Sequence, residues 1–178
     1  MKIQPVRGTH DFHGVELKKF NIVEKIIKVT ANSFGFNEII TPIFESSDLF
    51  YKPLGAQSDV VLKEMYTFHD RNNSSLTLRP EYTTPIIRAA ISNNLLTKLP
   101  AKLFGVGPMF RRERPQKGRF RQFNQMNFEI LGTNDILADV ELILLARAIL
   151  NNTLPNQQFK LHINSLGDGD TLKKFKLK

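Results

Sequence analysis

Cysteine is absent from all 178 residues of the chain. That excludes both a disulfide framework and a thiolate metal site. Histidine is scarce: His10, His13, His69 and His162 are scattered, and no two make a ligand-like HxxxH pair. His10 and His13 are close in sequence but sit in a glycine-containing stretch beside Asp11, so no metal site is expected. Long hydrophobic runs are also lacking. The N-terminus, MKIQPVRGTHDF, has no apolar core of the signal-peptide kind. The greasiest run, LILLARAIL (142–150), is far too short to span a bilayer and carries Arg147. No membrane partner is expected, and the cytoplasm is the default location. There is no internal repeat and no low-complexity tract.

The residues present describe a folded basic protein. Hydrophobic residues make up 41% and charged residues 24%, which argues against wholesale disorder. A chain of this length hides roughly 70% of its unfolded surface, so one domain, or one with a small extension, is expected over 1–178. The net charge of +8 favours polyanionic partners such as nucleic acid or nucleotides.

Apolar spacing predicts an amphipathic helix over 16–34, built on Leu17, Phe20, Ile26, Ile27, Ala31 and Phe34 and stopped by Gly35. FNEIITPIFE follows as an extended segment punctuated by Pro42, and 48–57 reads as loop or short helix. Strand-like pieces over 60–70 precede a turn at DRNNSS (70–75) and a short strand at LTLRP (76–80). TTPIIRAAISNNLL (83–96) predicts a helix, with Thr84 as its cap and Pro85 in its first turn. KLFGVGPMFR (102–111) and FRQFNQMNFEILG (120–132) predict an antiparallel hairpin with a long loop. Asp135 is expected to cap a buried helix over ILADVELILLARAIL, FKLHIN (159–164) reads as a further strand, and the polar, basic end is expected to fray. The fold class expected is α+β: an antiparallel β-sheet with flanking helices.

The hairpin loop is the most unusual stretch. RRERPQKGRFRQF (111–123) gathers five arginines and a lysine around one acid, Glu113. Strand alternation places Arg121, Phe123, Gln125, Asn127 and Glu129 on one face, with Gly105, Gly107, Met109 and Arg111 from the partner strand. Phe104, Val106, Phe110, Phe128 and Ile130 fall on the other, core-like face. Glycines permit close approach of a ligand, and arginine matches phosphate oxygens two at a time. Such a face could hold a small zwitterion and a nucleotide side by side. It could equally be a solvated sheet face with a charged tip. In TLRPEYTTP (77–85), Arg79 and Glu81 flank Pro80. Glu81 and Thr83 could project into the same cavity, or Arg79 and Glu81 could simply pair.

These stretches together resemble the histidyl-tRNA synthetase family of class II aminoacyl-tRNA synthetases, from the N-terminus to about Gly167. FGFNEIITPIFE (34–45) resembles the first class II motif, TLRPEYT the histidine-binding segment, and GPMFRRERPQKGRFRQFNQMNFEILG (107–132) the second motif. NSLGD (164–168) resembles a segment that follows it. The resemblance implies that histidine and ATP give histidyl-adenylate and pyrophosphate, and that histidine then passes to the terminal ribose of tRNA(His). It implies Arg111 on the ATP α-phosphate as the catalytic arginine, Glu113 on the adenine amino group and Phe123 stacked on the adenine. Glu81, Tyr82, Thr83, Gln125 and Glu129 would line the histidine site. Arg112, Arg114, Lys117, Arg119 and Arg121 would meet phosphates and tRNA. ATP would enter as substrate with Mg2+, and a homodimer would form near Phe34–Pro42.

Two departures stand out. Tyr82 occupies a position where the family commonly has glycine. After Gly167 the chain shows neither the histidine-specific segment, nor the third motif, nor an anticodon-binding domain, so a truncated core is expected that does not turn over alone. A non-catalytic relative, the ATP phosphoribosyltransferase regulatory subunit, is the alternative, together with an inactive remnant or a basic RNA-binding fragment. The intact basic loop weighs against the regulatory subunit.

Overall fold

A computed structural model describes residues 3–54 and 64–164. Helix α1 spans Gly14–Ser33 and buries Ile27, Thr30 and Ala31, the one-face spacing that the sequence predicts. It ends where Gly35 adopts φ +78°. The Gly35 N–H donates to Asn32 O and the Phe36 N–H to Ala31 O, the paired bonds of a Schellman closure. That turn drops the Phe36 ring, 2% exposed, into the core.

The extended segment then divides between two sheets. Strand β1 (Asn37–Glu38) joins one sheet, and β2 (Phe44–Ser46) the other, followed by helix α2 (Asp48–Leu54). Lys28 of α1 reaches Glu38 of β1 at 2.8 Å and Glu24 at 2.9 Å. These bonds, Glu38's first, hold its ammonium above the usual lysine range. Strands β3 (Tyr66–His69) and β4 (Ser75–Leu78) form the hairpin expected around DRNNSS. Asp70 makes the turn, its Oδ1 accepting the N–H of Asn72 and of Ser74, both at 2.8 Å. The antiparallel order is β2-β4-β3.

Helix α3 (Thr83–Ser92) leads to the second sheet, whose long strands β5 (Ala101–Phe110) and β6 (Gln122–Leu131) pair antiparallel along their full length. β1 adds to β5 in parallel, so the order is β1-β5-β6. Helix α4 (Ile136–Thr153) follows. One face of this sheet packs Phe104, Val106, Phe128 and Ile130 against α1 and α4 through Ile27, Ala31, Leu145 and Ile149. The opposite face packs Leu103 and Met109 against Tyr82, Ile86 and Ala90 of the α3 region. Both faces therefore contribute to cores, where alternation alone had suggested one greasy face and one open one.

Four expectations are corrected. Thr84 does not cap α3. The carboxylate of Glu81 does so, accepting the Thr84 N–H at 3.0 Å through Oε1, because a side chain three residues upstream reaches the free N–H groups of the first turn. Arg79 does not pair with Glu81, since its guanidinium turns inward, as described below. Helix α4 is not wholly buried: only Leu145 and Ile149 are, while Ile136 and Leu137 are 68% and 66% exposed. A helix apolar on most faces buries only the stripe that meets a neighbour. FKLHIN is not a strand: among the described residues, 159–164 join no sheet and are exposed, and alternation supplies faces but not the partner ladder that a strand also needs. The NSLGD resemblance, from Ser165 on, and the basic end lie outside the described residues.

The expected cap on α4 is present: Asp135 accepts the Leu137 N–H at 2.9 Å. Asp135→Ala should cost about 1 kcal/mol, read as a fall of about 2–4 °C in thermal melting.

Candidate active site

The register of β5 and β6 decides which side chains share a face. Leu103 stands opposite Glu129, Gly105 opposite Asn127, Gly107 opposite Gln125 and Met109 opposite Phe123. Residues directly opposite point the same way, so Phe123, Gln125, Asn127 and Glu129 are gathered on one side. Arg111 extends the ladder by one rung, its N–H donating to Arg121 O at 2.9 Å. Its guanidinium lies 5.2 Å from the centre of the Phe123 ring. Its Nε donates to Pro80 O at 2.8 Å, which orients the planar fork.

The segment before α3 lies across this same side. The Phe110 N–H donates to Arg79 O at 3.0 Å, pinning the segment to the end of β5. Asn127 Nδ2 bridges Thr83 Oγ1 at 3.2 Å and Glu129 Oε1 at 2.6 Å. A carboxylate, an amide and a hydroxyl from two elements are thus joined. Gln125 Oε1 is buried without a hydrogen-bond partner, as is the Tyr82 hydroxyl. Buried polar atoms are costly unless paired, and here an acceptor and a donor sit on one face of one sheet.

The two strand glycines have a purpose other than the one expected of them. A Cβ on Gly105 would stand 2.5 Å from Tyr82 Cε1, and one on Gly107 2.6 Å from Arg79 Nη2. They make room for the protein's own side chains rather than for a ligand. Tyr82 is fully buried, and Arg79 lies over its ring at 4.3 Å. Arg79 is 2% exposed and donates to Pro108 O, to Thr41 O and Oγ1, and to Pro42 O. It ties the Thr41–Pro42 segment to the hairpin. Its role and that of Asn127 were missed in sequence. Asn127 was visible in the alternation of β6, but nothing in LRPE distinguishes an inward arginine from an outward one.

The basic loop closes over itself. Gln116 and Arg119 form an isolated bridge, and Arg119 Nη1 reaches Glu113 Oε2 at 3.4 Å. Glu113, Arg112, Arg114, Gln116 and Arg119, with Glu64, line a hollow of about 220 Å3. Arg112, Arg114, Lys117 and Arg119 are exposed. Arg121 is half-buried, its Nε donating to Glu113 O at 3.3 Å. A larger hollow of about 890 Å3 lies between α4 and residues 157–161. Its lining carries Arg147 and Lys160 but no acid, and it shares no residue with the sheet-face cluster.

The fold is shared with solved synthetases. The chain matches the apo S. aureus histidyl-tRNA synthetase with a TM-score of 0.71 and 34% identity, over 84% of this chain and 34% of that one. It matches an ATP phosphoribosyltransferase regulatory subunit/histidyl-tRNA synthetase from Bacillus halodurans C with a TM-score of 0.73 and 25% identity, over 86% of this chain and 38% of that one. The fold is that of part of the catalytic core of a class II aminoacyl-tRNA synthetase. The histidyl-tRNA synthetase family model matches residues 8–169, and the histidine--tRNA ligase of Rhodospirillum rubrum is 53% identical over 95% of this chain. The chain belongs to the histidyl-tRNA synthetase family. It spans about 41% of the length of that relative.

Proposed function

We propose that this chain is the N-terminal part of the catalytic core of a histidine–tRNA ligase, carrying the ATP arginine and much of the histidine site. One observation carries the reading: Arg111, Phe123, Gln125 and Glu129 share a side of the β5–β6 sheet, and Thr83 of α3 reaches that side through Asn127. In this reading the Arg111 fork takes two oxygens of the ATP α-phosphate and stabilises the charge that grows there as the histidine carboxylate attacks. As the new acyl–phosphate bond forms, the bond to the β-phosphate breaks and pyrophosphate leaves, a transfer that needs positioning and charge stabilisation more than covalent help. Phe123, held between Arg111 and the core, offers its ring to the adenine. Glu113 accepts from the adenine amino group.

The acidic groups suit a substrate that is both ammonium and imidazole. Glu81 and Glu129 take N–H donors, Thr83 and Gln125 orient them, and Tyr82 shapes the floor. Mg2+ enters with ATP, and no resident metal is needed. Arg112, Arg114, Lys117 and Arg119 are exposed, and with Arg121 they form a basic rim for the tRNA acceptor end, so tRNA affinity should fall steeply with salt. The protein works in the cytoplasm as a homodimer through the segment Phe34–Pro42. Support for that surface is Ile40, 78% exposed, with Ile43 and Phe44 exposed beside it.

The test is histidine-dependent ATP–pyrophosphate exchange with the purified chain, beside separate calorimetry for histidine and ATP. Binding of both supports a synthetase site even where exchange needs the remaining part of the core. Histidine binding without ATP binding would move the reading to a regulatory subunit, and binding of neither would end it.

A further inference from the structure

Residues 7–12, RGTHDF, precede α1 and lie across the base of the basic loop. The Gly8 carbonyl accepts the N–H of Arg121 at 2.7 Å and of Gln122 at 3.3 Å. The Arg121 carbonyl in turn accepts the N–H of Arg111 at 2.9 Å. A line of peptide groups therefore runs from the N-terminal segment to the candidate catalytic arginine. Gly8 is required twice over. Its φ of +88° is one that side chains rarely adopt, and a Cβ there would stand 2.9 Å from both Arg121 Cγ and Pro115 Cγ. Thr9 closes the segment into a turn, its N–H and Oγ1 both donating to Val6 O. Three ring contacts then fasten it: His10 on Phe120 at 5.1 Å, His10 on Phe12 at 4.5 Å, and Phe12 on Phe20 of α1 at 5.2 Å.

The loop needs such a fastening. Arg112, Arg114, Lys117 and Arg119 repel one another, and the single Glu113–Arg119 contact, long at 3.4 Å and exposed on the arginine side, offsets little of that. We propose that the RGTHDF strap is a positioning device: docking of Gly8 on Arg121 and Gln122 holds loop 111–121 in the geometry in which Arg111 and Glu113 meet ATP. The inference rests on the ligase reading above and assigns Gly8 and His10 a share in ATP affinity. Neither belongs to either core cluster, so undocking is a local opening rather than loss of the fold.

The experiment compares Gly8→Val and the milder His10→Ala with the parent chain. Three readouts are taken: circular dichroism with thermal melting, the rate of tryptic cleavage after Lys117 and Arg119 mapped by mass spectrometry, and separate affinities for ATP and histidine. Melting should stay close to the parent's. Cleavage in the loop should quicken by about tenfold in Gly8→Val, since proteolysis follows the population of the open form. ATP affinity should fall by about tenfold while histidine affinity does not move. His10→Ala should shift both in the same direction by less, and it serves alone where Gly8→Val fails to fold. Parent-like cleavage and ATP affinity in folded variants overturn the proposal. So does faster cleavage with ATP affinity untouched, which would make the strap a purely structural clasp. A parent chain that binds no ATP ends the ligase reading instead, and unaltered cleavage in Gly8→Val still overturns the strap on its own.

Discussion

Replacing Arg111 by alanine will weaken ATP binding by about a hundredfold or more, with any histidine-dependent exchange falling at least as far. Each hydrogen bond to a charged group contributes about 1.5–3 kcal/mol, and a guanidinium fork makes two to a phosphate. Arg111 is already aimed by its bond to Pro80 O and by the Phe123 ring, so little ordering is needed when the nucleotide arrives. Arg111→Lys should recover only a small part, because an ammonium keeps the charge but loses the planar pair of donors. Stability should change modestly, by about 1 kcal/mol for the lost bond to Pro80. Calorimetric titration with Mg–ATP checks the affinity, and a thermal melt of the same samples checks the fold. An alanine variant that binds ATP like the parent removes Arg111 from the phosphate site.

The second large effect is on stability. Gly105→Val should destabilise the chain by about 3 kcal/mol, the upper end of overpacking costs. That corresponds to a fall of roughly 6–12 °C in melting temperature. The backbone of β5 is ordinary strand at this position, where valine is normally welcome, so the cost is wholly steric. The new Cβ would meet Tyr82 Cε1 at 2.5 Å and Cζ at 2.7 Å, with Ile39 O at 3.1 Å on the other side. Tyr82 cannot swing away, since it is fully buried under Arg79. Tyr82→Ala alone should also destabilise, by leaving a cavity. The double variant should be more stable than the sum of the two losses predicts, because the cavity receives the valine. The gain over additivity measures the contact. A Gly105→Val chain that melts like the parent, or strictly additive losses, would show that Tyr82 does not fill the space above Gly105.

This contact also explains the departure at position 82. A glycine there would leave the space above Gly105 open, whereas the tyrosine fills it and brings its hydroxyl toward Gly107, the partner of Gln125 across the ladder. The sheet face is the same, but its floor is raised by one ring. Arg79 shares the arrangement, crossing from the α3 segment to Thr41 and Pro42. The Thr41–Pro42 segment, the segment before α3 and the hairpin are therefore held by one buried guanidinium.

Much of this was legible in the order of residues. The β5–β6 pairing, the grouping of Phe123, Gln125, Asn127 and Glu129, the Asp70 turn, the Gly35 stop and the Asp135 cap each follow from rules that act within a few residues. Pleating alternates faces, glycine admits positive φ, and a short carboxylate reaches its own next N–H groups. The family, too, was legible in motifs that are local. What tertiary structure alone decided is where a side chain goes when two partners compete for it. Arg79 could meet Glu81 or bury itself beneath Thr41. Glu81 could pair with Arg79 or cap α3. Gly105 could face a ligand or a tyrosine. The strap on Gly8 likewise joins residues more than a hundred positions apart, and no short-range rule connects them. Such choices depend on which groups the packed chain brings within a few ångströms, and proximity of that kind is a property of the fold and not of the neighbouring sequence.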